Sequence, residues 1–251
     1  MATFQERGLS VNKNDLPRLG VGVYTRADAA RLLRLTPSRV GRWSKGYSYW
    51  LGYTPEPEQR KQPPVVRRRR PDIGGLYWLS FLELMELRIV RALVVDRGLS
   101  LQYVRKLGDL GSRIFDTPYP LASRRIFVEG QRVFASLSRD QDLLQVVELS
   151  EKRHGQIMAG DLFEQYLEEV DFDEETSLAE RWWPMGRDVP VVLDPRIAFG
   201  APVLAGTRIR TDILTLYTSG NAAATVARAF ELTTTQVDAA VDFEAQLARA
   251  A

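Results

Sequence analysis

Two adjoining stretches decide how this chain is read: Tyr24-Thr25-Arg26-Ala27-Asp28-Ala29-Ala30-Arg31-Leu32-Leu33-Arg34-Leu35, followed directly by Thr36-Pro37-Ser38-Arg39-Val40-Gly41-Arg42-Trp43-Ser44-Lys45-Gly46. In the first, Thr25 supplies an N-cap oxygen, Asp28 sits at the third helical position, where a carboxylate meets the positive end of a helix, and Ala29, Leu32 and Leu33 share one face. In the second, Thr36 caps, Pro37 takes the first helical position, where a missing N–H does no harm, and Gly46 ends the segment. Two short helices with almost no linker predict a helix-turn-helix. The second helix of such a pair enters the major groove, so Ser38, Arg39, Arg42, Trp43 and Lys45 are the candidate DNA contacts, with Val40 left to pack inward. Arginine suits bidentate contact with guanine, whereas Ser38 and Lys45 suit the phosphate backbone. The competing reading of the same residues is a solvated basic face.

Outward from this pair, Tyr47-Ser48-Tyr49-Trp50-Leu51 is strand-like, and a Pro/Glu-rich tip runs from Thr54 to Pro64. Val65-Val66-Arg67-Arg68-Arg69-Arg70 and Gly74-Gly75-Leu76-Tyr77-Trp78 complete what reads as a β-wing. In an extended wing Arg67, Arg68, Arg69 and Arg70 would track a phosphate strand or reach a minor groove, with alternate side chains turned to solvent. Ser80-Phe81-Leu82-Glu83 is a capping box opening an amphipathic helix with Leu84, Leu87, Ile89, Val90, Leu93 and Val94 on its apolar stripe and Gly98 as a stop. A second helix is expected from Gln102 to Leu110, with Val104 and Leu107 inward. Arg124 to Ala135 alternates as a hairpin around Glu129-Gly130, and two more helical patterns lie between Leu143 and Val170.

The tail begins with extended Val191-Val192-Leu193 and a turn at Asp194-Pro195. Gly200-Ala201-Pro202-Val203-Leu204-Ala205-Gly206-Thr207-Arg208-Ile209 follows and reads as a tight turn between extended segments. It lacks the Lys-Ser/Thr ending of a P-loop and the glycine spacing of a dinucleotide fold. Helical patterns then cover Thr211 to Thr218, Ala222 to Phe230 and Thr234 to Arg249.

Composition removes most enzyme chemistry. The 251 residues contain no cysteine and one histidine, His154, in a polar patch; thiolate and multi-histidine metal sites are excluded, and no nucleophile–base pair stands out. No catalytic residue, metal or cofactor is expected. The net charge of +2 hides an asymmetry: residues 1–140 carry 25 Lys+Arg against 13 Asp+Glu, and residues 141–251 carry 9 against 19. The front half suits a polyanion. Six carboxylates fall between Glu168 and Glu175 and read first as a solvated acidic linker, with a cation site or a nucleic-acid mimic as alternatives. An enzyme using Asp171 and Asp173 with a metal is the reading from another class. Trp182, Trp183 and Arg208 are the candidates for contact with a protein partner, with core packing or dimer contact an equal reading of the two tryptophans. No apolar run is long enough to span a bilayer, which leads to the expectation of a cytoplasmic protein without membrane association.

The order helix-turn-helix, wing, long helix and shorter helix after Gly98-Leu99-Ser100 resembles the DNA-binding domain of the MerR-like regulators over roughly Val23 to Leu110, apart from the long Pro-rich tip. The tail, through Val192-Leu193-Asp194-Pro195-Arg196, Phe199-Gly200-Ala201-Pro202-Val203, Gly206-Thr207-Arg208-Ile209, Phe230-Glu231-Leu232, Val237 and Phe243-Glu244, looks like a small domain family found in antitoxins of bacterial type II toxin-antitoxin pairs. The whole chain thus resembles a VapB-class antitoxin. That resemblance implies a PIN-like ribonuclease toxin as partner, toxin neutralisation and autoregulation of an operon. The fold expected is mainly α with small β elements: an N-terminal arm (1–22), a winged MerR-like helix-turn-helix domain (23–122), a β-hairpin, helices and acidic linker (123–188), and a C-terminal antitoxin domain (189–251). Helix-turn-helix proteins read paired half-sites through two-fold symmetry, so operator DNA should be bound by a homodimer. A stand-alone MerR-like transcription regulator with a ligand- or partner-binding C-terminal domain is the alternative.

Overall fold

A computed structural model describes residues 20–51, 58–70, 72, 76–128 and 166–249, and its helix pair begins where the caps predict. Thr25 Oγ1 accepts the Asp28 amide (3.1 Å) while Asp28 accepts the Thr25 amide (3.0 Å), opening α1, Arg26–Leu33. Arg34 turns the chain through a left-handed conformation, and Thr36 Oγ1 accepts the Arg39 amide (3.2 Å) to open α2, Pro37–Lys45. Ala29, Ala30, Leu33, Leu35 and Val40 are buried between the helices and the elements that follow.

Beyond Gly46, β1 (Tyr47–Leu51) pairs antiparallel with β2 (Glu58–Gln62), Tyr47 opposite Gln62 and Trp50 opposite Gln59. The second strand lies inside the segment expected to be the wing tip. Its residues are exposed or nearly so, and without a buried face it carries no apolar alternation to read. The Arg67–Arg70 run, expected to lie in the wing, follows the hairpin as an irregular connection after Pro63-Pro64.

Ser80 and Glu83 form the expected capping box at α3, Phe81–Arg91, which continues through a π-helical turn, Ala92–Asp96, to Gly98. α4, Leu101–Phe115, outruns the expected Leu110 by a further turn. Gly108 and Gly111 do not break it because Tyr103, Val104, Leu107 and Phe115 are buried on one side. The expected hairpin after Arg124 is corrected in its first part: Arg125–Val128 is a short helix, α5, and residues 129–150 lie outside the described residues. The helical patterns before residue 166, His154 and residues 1–19 of the arm are outside them as well.

The remaining strands form one antiparallel sheet in the order β3 (Val170–Phe172), β4 (Ala179–Trp182), β5 (Val191–Leu193) and β6 (Pro202–Leu204). Two strands come from each side of residue 189, and Trp182 pairs directly with Leu193 across that point. The acidic stretch is therefore sheet and turn, which corrects the linker reading. Asp171 forms ion pairs with Arg181 (3.0 Å) and Arg187 (2.7 Å) and accepts the Trp183 indole (3.1 Å), Glu169 pairs with Arg88, and Asp173 caps the turn to Thr176 (2.8 Å). Among the described residues no acidic cluster has the make-up of a metal site. Nor is any of their helices long and apolar enough to cross a membrane.

Three helices close the fold: α6 (Thr211–Thr218), α7 (Ala223–Ala229) and α8 (Thr234–Arg249). Thr233 and Gln236 cap α8 reciprocally (3.2 and 3.0 Å). Leu214, Val226, Val237, Ala240, Phe243 and Leu247 pack on Val191 and Leu204, while Trp182 and Leu193 belong to the N-terminal core, so the sheet is shared between two clusters. The halves are also clipped together at Tyr24, whose buried hydroxyl donates to the Gly200 carbonyl (2.8 Å). Gly200 has φ +84°, and a Cβ there would stand 2.2 Å from the Tyr24 oxygen.

Tyr24→Phe should lower unfolding free energy by about 1 kcal/mol, the worth of one buried hydrogen bond. Gly200→Ala should cost more, since it adds a clash to a left-handed backbone; urea denaturation of both variants and of the double variant checks the order, and partial relief of Gly200→Ala by Tyr24→Phe is expected. A second expectation concerns Glu86, buried in α3, whose carboxyl is pushed up to about 8 by burial, against a weaker hydrogen bond from the Leu121 amide (3.3 Å). The folded state then holds a proton that the unfolded chain releases near the ordinary value of 4.5. Stability contributed by that proton is full below the lower value and is lost as pH rises through the upper one, at up to about 1.4 kcal/mol per pH unit. Glu86→Gln should flatten this decline and exceed the parent in stability at alkaline pH, as read by urea melts across the interval.

Candidate nucleic-acid interface

The caps fix the register of α2, and that register sorts its side chains. Val40 and Trp43 point into the core, while Ser38, Arg39, Arg42 and Lys45 lie exposed along one face. Trp43 is only 4% exposed, which corrects its expected place among the contacts. It builds the floor of the site: its ring carries the Arg39 guanidinium (5.9 Å to the centroid), and its carbonyl accepts the Val65 and Val66 amides (2.8 and 3.0 Å).

Among the described residues, aromatic rings and no carboxylates position the cations of α2, while Arg68 on the same Tyr77 ring is also paired with Asp72. Arg42 lies over Tyr47 (5.8 Å), and the Tyr77 ring is approached by Arg68 (4.1 Å), Lys45 (4.8 Å) and Arg26 (5.3 Å). Tyr77 is held in turn by its hydroxyl, which donates to Ser44, whose own hydroxyl donates to the Val40 carbonyl (2.5 Å). Burial raises the Tyr77 phenol above its ordinary value. Within the described residues no ion pair engages Arg39, Arg42 or Lys45. A face of unneutralised cations, pre-oriented over rings, is suited to phosphate and to base edges.

The hairpin is set beside α2 by Gly46, at φ +77°, where a Cβ would fall 2.3 Å from the Gln62 carbonyl oxygen. It presents Trp50 (64% exposed) and Tyr47 (40%) together with exposed Arg60 and Lys61, although Glu58 pairs with Arg60 (3.2 Å). Trp50 was not singled out from sequence. The available signal was strand alternation, which sets it on the face opposite Tyr47 and Tyr49.

The arginine run divides. Arg67 is exposed and paired with Asp109 (2.9 Å), whereas Arg68 turns inward to the Trp78 carbonyl (3.1 Å) and Asp72 (2.6 Å). Arg69 gives its amide to Glu83 (2.8 Å) and its guanidinium to the Pro118 carbonyl (3.0 Å); the Arg70 side chain is exposed. The alternation expected of a strand is absent because the segment is not one, and Arg68 acts as internal scaffold.

Of the residues weighed for contact with a protein partner, Trp182 is buried (4% exposed), which corrects the partner reading in favour of core packing, and Trp183 is half-buried and bonded to Asp171. Arg208 is exposed in the turn after β6, where Thr207 bonds the Leu204 carbonyl (2.8 Å) and the Ile209 amide (3.1 Å). The apolar surface of this half lies elsewhere, on α6, where Ile213, Leu216 and Tyr217 are exposed at helical spacing and Tyr217 meets Phe230 edge-on (5.2 Å).

Residues 191–243 match the family described as "Protein of unknown function (DUF433)". Over 231 residues the chain is 28% identical to a protein of Mycobacterium tuberculosis (strain ATCC 25618 / H37Rv) named "Putative antitoxin VapB45", covering 90% of this chain and 95% of that one. A crystal structure of Rv2018 from Mycobacterium tuberculosis shares the fold, with a TM-score of 0.62 at 23% identity over 90% of this chain and all of that one.

Proposed function

We propose that this chain is a DNA-binding antitoxin and not an enzyme: a homodimer that docks a winged, MerR-like helix pair on operator DNA, represses its own operon and neutralises a PIN-like ribonuclease toxin through its C-terminal half. The observation that carries the DNA part is the face of α2, where Arg39, Arg42 and Lys45 stand exposed, without carboxylate partners among the described residues, beside a hairpin bearing Trp50. The antitoxin part is supported by similarity to a relative bearing that name along nearly its whole length. In this reading Ser38 and Lys45 hold phosphates and Arg39 and Arg42 read bases. Arg67, Arg69 and Arg70 extend the basic track, and Trp50 lies against sugar and base surface. The exposed α6 face, with Arg208 and Trp183 as further candidates, serves the toxin.

Arg39→Ala or Arg42→Ala should cost about 1–3 kcal/mol in discrimination between operator and random DNA. Neutralising Arg67 and Arg70 should weaken binding to both and reduce its salt slope. Trp50→Ala should weaken binding while leaving the salt slope unchanged, because no charge is removed. Fluorescence anisotropy across a salt series separates the three; identical behaviour of the arginine variants would refute the division of roles. Co-expression with the neighbouring gene should yield one complex that shifts promoter DNA and is lost with Leu216→Asp. Promoter binding without any such complex would replace the antitoxin reading by the stand-alone regulator.

A further inference from the structure

Where α1, α3, β4 and α8 meet, two buried donors have no acceptor: the Trp182 indole Nε1 and the Arg88 Nη1. Orphaned buried donors are uncommon in folded proteins and point to a missing partner. Both residues line one cavity of about 300 Å³, with Leu32, Arg34, Arg91 and Glu169 among its other walls. The Arg88 guanidinium is held by Nη2 on Glu169, with its Cζ 4.1 Å from the Tyr166 centroid and 5.0 Å from that of Trp182. Nη1 is buried without an acceptor.

The charge of the walls selects what could complete this arrangement. Arg34, Arg88 and Arg91 face a single lining carboxylate, Glu169. Arg91 is tied to Asp96 (2.8 Å), and Arg34 makes one long hydrogen bond to Gln246 (3.4 Å). A water molecule would satisfy a donor but leave the charge of Arg34, the one wall arginine without a carboxylate among the described residues, unmatched; an oxyanion answers both, since it only accepts hydrogen bonds and carries the opposite charge. We infer that this cavity binds a small oxyanion, a phosphate or carboxylate group, held by Arg88 and Trp182 with Arg34 at its mouth. The site is separate from the α2 face and does not rest on the antitoxin reading.

Isothermal titration calorimetry of the full chain tests it, with sodium phosphate and sodium acetate in separate arms and ionic strength held constant by sodium chloride. Saturable binding of one anion per chain is expected, and the arm that saturates tells phosphate from carboxylate. Trp182→Phe, which keeps the ring and removes the donor, and Arg34→Gln should each weaken it about tenfold, the effect of losing one hydrogen bond to a charged group. Arg88→Gln should abolish it; if that variant does not fold by circular dichroism, the other two carry the test. Arg39→Ala/Arg42→Ala controls for phosphate seated on the α2 face. Loss of binding in that control, or undiminished binding in Trp182→Phe and Arg34→Gln, would overturn the assignment. So would the absence of saturable heat with either anion, which would leave the cavity to water.

Discussion

The short segment Val21-Gly22-Val23-Tyr24, which bends at Gly22 (φ +73°), ties the start of α3 to the loop between β5 and β6. Tyr24 and Leu79 exchange amide bonds (2.9 and 2.8 Å), Val21 accepts the Phe81 amide (2.9 Å), and Val23 donates to the Phe199 carbonyl (2.8 Å). The Tyr24 hydroxyl adds the bond to Gly200, and burial drives its phenol far above the ordinary range, so that it remains a donor at any working pH. α1 leaves directly from this clip. Its orientation, and through it that of α2, is fixed by α3 on one side and by the C-terminal loop on the other.

The molecule uses its two signs of charge in different ways. Carboxylates in the back half are turned to internal work: Asp171 gathers two arginines and an indole, Asp194 holds Arg196 through backbone and side chain (2.9, 2.9 and 2.7 Å), and Glu169 neutralises Arg88. The cations of α2 are instead steadied by rings that cannot neutralise them. Orientation is gained there without loss of charge, which is what a surface meeting a polyanion needs.

Local signals with a stated mechanism were legible in the sequence. The threonine caps at Thr25 and Thr36 and the Ser80–Glu83 box placed three helices close to where they lie, because each cap is a contact between residues three apart. β2 was hidden because neither of its faces is buried, and the composition of Glu58–Gln62 is that of a loop. The acidic stretch misled because its partners, Arg88 and Arg187, are distant or beyond a turn, and charge counts along a chain do not say which charges will meet. In the candidate site the exposed row Ser38, Arg39, Arg42 and Lys45 followed from helical spacing. The burial of Trp43 and Trp182 and the inward turn of Arg68 depend on tertiary packing that spacing does not encode.

The bond from Tyr24 to Gly200 spans 176 positions of sequence. A ribosome adding about 5–20 residues per second needs on the order of ten seconds or more to reach the acceptor after the donor has been made. During that interval the helix pair lacks one of its two supports. A nascent or truncated chain ending before the β5–β6 loop therefore carries the basic helix without its final anchorage, and completion of the last quarter of the protein sets when its beginning becomes fully ordered.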